Sequence, residues 1–127
     1  MRALLDTSFF VATESGRALG DMDGVTQTEV SVVTLAELTV GVLMANDADR
    51  PARVATLSAV ESTWDPLPID AEVARQFAHI AAALRASRRR VPILDALIAA
   101  TAVVEQIPVV TQDRDYHAIP GVEVIRV

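Results

Sequence analysis

The sequence predicts an α/β fold, a mostly parallel sheet of about four to five strands flanked by helices, and three observations predict it. Short apolar or β-branched runs alternate with longer segments whose apolar residues recur every three or four positions. Most of those runs close on a polar or acidic residue that opens the next helical pattern, as in βαβ units with strands running one way. No internal repeat, low-complexity tract or linker interrupts the 127 residues, a length suited to one core rather than two. A single domain over residues 1–127 is expected.

Composition narrows the function classes. Apolar residues make up 51% of the chain, enough to bury a core. Cysteine is absent, which removes disulfides, thiolate zinc sites and Cys nucleophiles together and suits a reducing compartment. The first apolar run is too short for a secretory signal, and no apolar stretch approaches membrane-spanning length, so a cytoplasmic protein is expected. A net charge of −6 argues, on average, against a broad nucleic-acid-binding face. Only the positions of the charges can overrule that average.

The elements follow in order. Residues 2–6 (RALLD) read as a short buried strand closing on Asp6, with Thr7 and Ser8 leading into a helix from Phe9. Residues 15–27 are polar and glycine-punctuated, and read as a short helix and loops. Residues 28–33 alternate and carry β-branched side chains, the mark of a strand. Thr34 and Glu37 then fit the S/T-x-x-E capping box of a helix running to about Met44. Val54, Leu57 and Val60 mark an amphipathic helix over residues 52–63. Pro66 and Pro68 make residues 64–69 an extended edge segment. Asp70 starts a helix to about Ala86, with Val73, Phe77, Ile80 and Leu84 on one face. Its end carries Arg85, Arg88, Arg89 and Arg90, either a solvated helix terminus or a phosphate-binding patch. Residues 92–116 (PILDALIAATAVVEQIPVVTQDRDY) organise the rest: a helix with Asp95 in its first turn, a break at Ile107-Pro108, a short strand, then Asp113, Arg114 and Asp115. Residues 122–127 close the sheet.

Asp6, Glu37, Asp95 and Asp113 thus come from four separated segments, yet each falls just past a strand or in the first turn of a helix. In a parallel sheet those places share the edge where ligand crevices form. Two like charges about 4 Å apart repel by about 4 kcal/mol at an effective dielectric near 20, so such a cluster needs a cation among its members. Oxygen-only ligands point to a hard divalent ion, Mg²⁺ or Mn²⁺, and so to phosphodiester hydrolysis by a metal-activated water. Thr7, Ser8 and Thr111 are placed to support a carboxylate or a coordinated water from behind. Asp115 is a candidate outer ligand. His117 reads as a surface histidine and His79 as structural.

LLDTS at 4–8, VVTLAELTVGV at 32–42, LDALIAATA at 94–102, and VVTQDRDY followed by IPGVEVI resemble, in order, the PIN-domain ribonucleases. More narrowly, they resemble the VapC-type toxins of bacterial toxin–antitoxin pairs. The resemblance covers almost the whole chain and implies a PIN-like three-layer sandwich with Mg²⁺- or Mn²⁺-dependent endoribonuclease activity. It places the family's acids at Asp6, Glu37 and Asp95. The fourth position is open between Asp113 and Asp115, because many members carry Asn at the first and an acid at the second. It also implies a small VapB-type antitoxin that points a basic side chain at the acidic pocket, and a homodimer within larger toxin–antitoxin assemblies. Arg85, Arg88, Arg89, Arg90 and Arg114 would then grip RNA around the pocket.

Two other classes compete. An aspartyl-phosphate phosphatase also places an Asp after its first strand, but Ser8 stands where the second acid belongs, and all eleven basic residues are arginines, leaving no lysine for the phosphoryl group. A non-catalytic binding module on the same fold is the other, and the full set of acids argues against it.

Overall fold

A computed structural model describes all residues, 1–127. Four strands, β1 (Arg2–Leu5), β2 (Gln27–Glu29), β3 (Val109–Thr111) and β4 (Val124–Arg126), form one sheet in the order β2-β1-β3-β4. All three pairings are parallel, with Leu4 opposite Val109, Ala3 opposite Thr28 and Val110 opposite Ile125. Five helices cover it: α1 (Thr7–Ser15), α2 (Val32–Leu43), α3 (Arg50–Thr63), α4 (Ala71–Ala86) and α5 (Ile93–Glu105). A 3₁₀ segment, Arg114–Ala118, links β3 to the approach to β4.

The period-two alternation of strands sorts the core into two halves. Leu4 and Val109 face one side, where they pack with Val73, Ile80 and Leu84 of α4 and with Ile98, Ala99 and Ala102 of α5. Ala3, Leu5 and Val110 face the other, against Phe10 of α1, Leu38 of α2 and Val60 of α3. That gives the three layers. The central strands are fully covered, as an all-parallel sheet requires, and each large apolar side chain buried there contributes about 1.5–3 kcal/mol. Ala99, Ala100 and Ala102 of α5 are wholly buried, which lets its backbone lie close to its neighbours.

Three elements differ from the sequence reading. The second strand stops at Glu29, and α2 begins at Val32, ahead of the start that a capping box at Thr34 implies. Ser31 is the N-cap, its Oγ accepting from the Val33 N–H at 3.0 Å. Burial of Val33 in the core outweighs the β preference of the Val-Val pair. Thr34 and Glu37 therefore do not form a capping box, and both side chains are released for other work. Residues 64–69 run extended beside β2 but contribute a single bridge, Ser31 to Leu67, rather than a strand. Between Gly16 and Thr26 there is no helix; α1 itself reaches Ser15 and ends on Gly16 at φ 73°.

Candidate active site

The chain leaves β1 towards β2 on one side, while β3 lies on the other. The carboxyl ends of β1 and β3 are therefore the switch point of the sheet, where a crevice opens in doubly wound folds. Asp6 sits there. Its backbone N–H still belongs to the ladder, donating to the Val110 carbonyl at 2.9 Å, and its side chain caps α1. Only 3% of Asp6 is exposed. The Thr111 hydroxyl donates to Asp6 Oδ2 at 2.9 Å and the Tyr116 hydroxyl to Oδ1 at 2.8 Å.

The hydroxyls behind Asp6 have one consistent direction. Thr111 gives its only proton to Asp6 and accepts from the Asp113 N–H at 2.9 Å, so Ser8, 3.1 Å away, must donate to it. Ser8 Oγ in turn accepts from the Gln112 N–H at 3.0 Å. A second chain ends on the other early acid. Thr7 donates to Glu37 Oε1 at 2.7 Å, and so its hydrogen bond with Thr34 at 3.0 Å has Thr34 as donor. Thr7 therefore supports Glu37, whereas Thr111 supports Asp6, and Ser8 acts one step further back.

Asp95 lies in the first turn of α5, where the helix dipole favours a carboxylate. Its carboxylate gathers with Asp113 and Asp115, with oxygens of the three within 4.8 Å of one another. Asp113 caps the 3₁₀ segment, accepting from the Asp115 N–H at 2.8 Å, which brings the two acids to one side of a tight turn. Burial raises the Asp95 carboxyl to about 7, with the charges of Asp6, Asp113, Glu37 and Asp115 adding in that order. Burial likewise raises Glu37; the Thr7 hydrogen bond pulls it back and the charge of Asp6 raises it again. The Tyr116 phenol is driven well above its ordinary range by burial and by Asp6, so it acts only as a donor.

No arginine or histidine forms an ion pair with any of these five acids, since the salt bridges join Arg2 to Glu29 and Glu105 and Arg50 to Asp47. Five carboxyl groups that act on one another without a basic partner are a donor set for a hard cation. The fit comes from carboxylate oxygens alone. Arg85, Arg88, Arg89, Arg90 and Arg114 are all exposed. Arg85, Arg89 and Arg90 rim a cavity of about 280 Å³ whose wall includes Ala96, the residue after Asp95. Both histidines are solvent-exposed, so His79 is not the packed residue expected of it.

Two contributors escape a reading by sequence. Thr34 looks like a helix cap, and the sequence pattern gives Tyr116 no role. A signal for Tyr116 does exist: a buried tyrosine requires a partner for its hydroxyl, but only the fold shows that the partner is an acid.

Fold and site define an α/β domain with a carboxylate centre at the switch point of a parallel sheet. The PIN domain family model matches residues 3–122. The chain belongs to the PIN-domain family. It is 48% identical over 128 residues to "Ribonuclease VapC5" of Mycobacterium tuberculosis, covering 98% of this chain and 94% of that protein. With "Ribonuclease VapC4" of the same organism it shares 44% identity over 126 residues, 99% and 97% of the two chains. Among solved structures it resembles the VapBC-5 toxin–antitoxin member from M. tuberculosis, with a TM-score of 0.89, 43% identity, and 99% and 98% of the chains covered.

Proposed function

We propose that this chain is the toxin of a toxin–antitoxin pair, a metal-dependent endoribonuclease whose single PIN domain spans residues 1–127. The observation that carries the reading is the unpaired carboxylate cluster at the β1–β3 switch point, in a chain nearly half identical, end to end, to proteins named as ribonucleases.

Asp6, Glu37, Asp95 and Asp113, with Asp115 beside them, would hold Mg²⁺ or Mn²⁺. When bound, such an ion supplies charge to offset the transferring phosphate and lowers the pKa of a nearby water. The protein's own contribution is positioning. Thr111 and Tyr116 fix the Asp6 carboxylate, and Thr7 fixes Glu37. Asp95, at about 7, exchanges its proton near neutrality, so cation binding there competes with protonation. The arginines at the end of α4 and Arg114 bind backbone phosphates, which reconciles an acidic chain with an RNA substrate.

The partner reading follows the same resemblance: a VapB-type antitoxin, with a homodimer inside the hetero-oligomer. A cavity of about 270 Å³ lined by Thr7, Glu37, Gly41 and Arg53 opens beside the acids, and Val40 and Leu43 of α2 and Met44 at its C-cap are exposed. An apolar segment ending in a cationic side chain suits that surface. No helix is long and apolar enough to cross a membrane, and we place the protein in the cytoplasm with its RNA.

The test is incubation of the purified chain with total cellular RNA in Mg²⁺ or Mn²⁺, and with a chelator. Discrete fragments that vanish on chelation are expected. Absence of cleavage by folded protein in either metal would favour the non-catalytic binding module.

A further inference from the structure

We infer that Tyr116 is a positioning residue for the metal centre, acting through the Asp6 carboxylate. The inference rests on the carboxylate-centre reading above and names a residue that the four-acid pattern leaves out. Tyr116 is fully buried, and its ring belongs to the core cluster that contains Leu4, Ile98 and Val109. A phenylalanine would fill that space equally well. What the hydroxyl adds is one bond, 2.8 Å to Asp6 Oδ1, made across 110 residues of sequence.

Asp6 is reached from two directions. Thr111, at the end of β3, holds Oδ2, and Tyr116, on the 3₁₀ segment, holds Oδ1. A tyrosine hydroxyl on a packed ring has little freedom, so the pair of donors fixes both the rotation and the tilt of the carboxylate. Oδ2 also accepts from the Ser8 N–H at 3.4 Å, which leaves Oδ1, the oxygen that Tyr116 holds, with a free acceptor site. The same 3₁₀ segment carries Asp115 and is capped by Asp113. One short element therefore presents two acids and orients a third. Partners of this kind typically change metal affinity by roughly 10–100-fold when removed.

The test compares wild type, Tyr116→Phe, Asp6→Asn and the double variant by Mn²⁺ binding, read as loss of the free-ion electron paramagnetic resonance signal, with melting curves alongside. Tyr116→Phe should stay folded and bind Mn²⁺ at least about tenfold more weakly, with RNA cleavage recovering as Mn²⁺ is raised. Adding it to Asp6→Asn should cost no further affinity, because the hydroxyl acts only through Asp6. Thr111→Val, which removes the other donor, should weaken binding in the same way. Unchanged Mn²⁺ affinity in Tyr116→Phe, within about twofold, would overturn the proposal while leaving the carboxylate centre standing. Failure of wild type to bind Mn²⁺ would overturn both.

Discussion

Thr7 and Glu37 meet at 2.7 Å between the first turn of α1 and the middle of α2, and this hydrogen bond ties the helix after β1 to the helix after β2. Thr34 completes the link from below. Thr7→Val keeps the shape and removes the donor. Loss of a hydrogen bond to an ionisable acid should lower stability by about 1–2 kcal/mol. It should also raise the Glu37 pKa further, because the Thr7 bond is the one influence that lowers it. The acidic limb of the cleavage pH profile should move upward in Thr7→Val and return in Thr7→Ser, as measured by initial rates across pH.

Asp95 gives the metal-free protein a defined pH dependence. Its folded value, about 7, lies above the ordinary 3.8, so the folded state holds more protons than the unfolded state between those limits. Its contribution to stability is therefore fully present below about pH 4, declines as pH rises, and is lost above about 7. In melting curves with chelator, Asp95→Asn should flatten this decline. Addition of Mn²⁺ to wild type should raise the melting temperature most at about pH 8, where no proton competes.

The arginines at the end of α4 should act through phosphate charge. Replacing Arg89 and Arg90 with Ala should weaken RNA binding. On a single strand, the slope of log affinity on log salt should shrink by roughly 0.7 for each phosphate no longer neutralised. Filter binding across salt concentrations measures it. An unchanged slope would remove these residues from the RNA path.

Arg88 allows stability and binding to be separated. It closes α4 at φ 56°, with Arg89 N–H donating to the Leu84 carbonyl at 2.9 Å and Arg88 N–H to the Arg85 carbonyl at 3.1 Å. That closure favours glycine. Arg88→Gly should relieve about 1 kcal/mol of left-handed strain. The melting temperature should rise by a few degrees while RNA affinity falls.

What can be read from sequence depends on how local the cause is. Asp6, Asp95 and Asp113 are legible because each occupies a strand end, a first helical turn or a cap, and a parallel sheet brings such places to one edge. Glu37 reaches the other acids from a turn further along α2 than expected, because Ser31, not Thr34, caps the helix, and the acid faces Thr7. The β-branched pattern over residues 28–33 overruns the true end of the second strand at Glu29 and misses its start at Gln27. Nothing local distinguishes a buried valine in a strand from one in a first helical turn. Tyr116 is beyond reach because its partner is 110 residues away and meets it only when β1 and β3 are paired. The order of strands, with β1 inside, likewise depends on pairing rather than on local pattern.

Whether the carboxylates at the switch point carry the reaction is decided by single-turnover cleavage of one mapped RNA in Mn²⁺. Wild type, Asp6→Asn and Asp95→Asn are compared, each shown to be folded by its melting curve. Wild type should cleave, and lose that cleavage with chelator. Each variant should fall by about a thousandfold or more, within the range that electrostatic stabilisation of a transition state provides. Cleavage by both variants within a few-fold of wild type would contradict a carboxylate-centred reaction and move the chemistry elsewhere on the molecule.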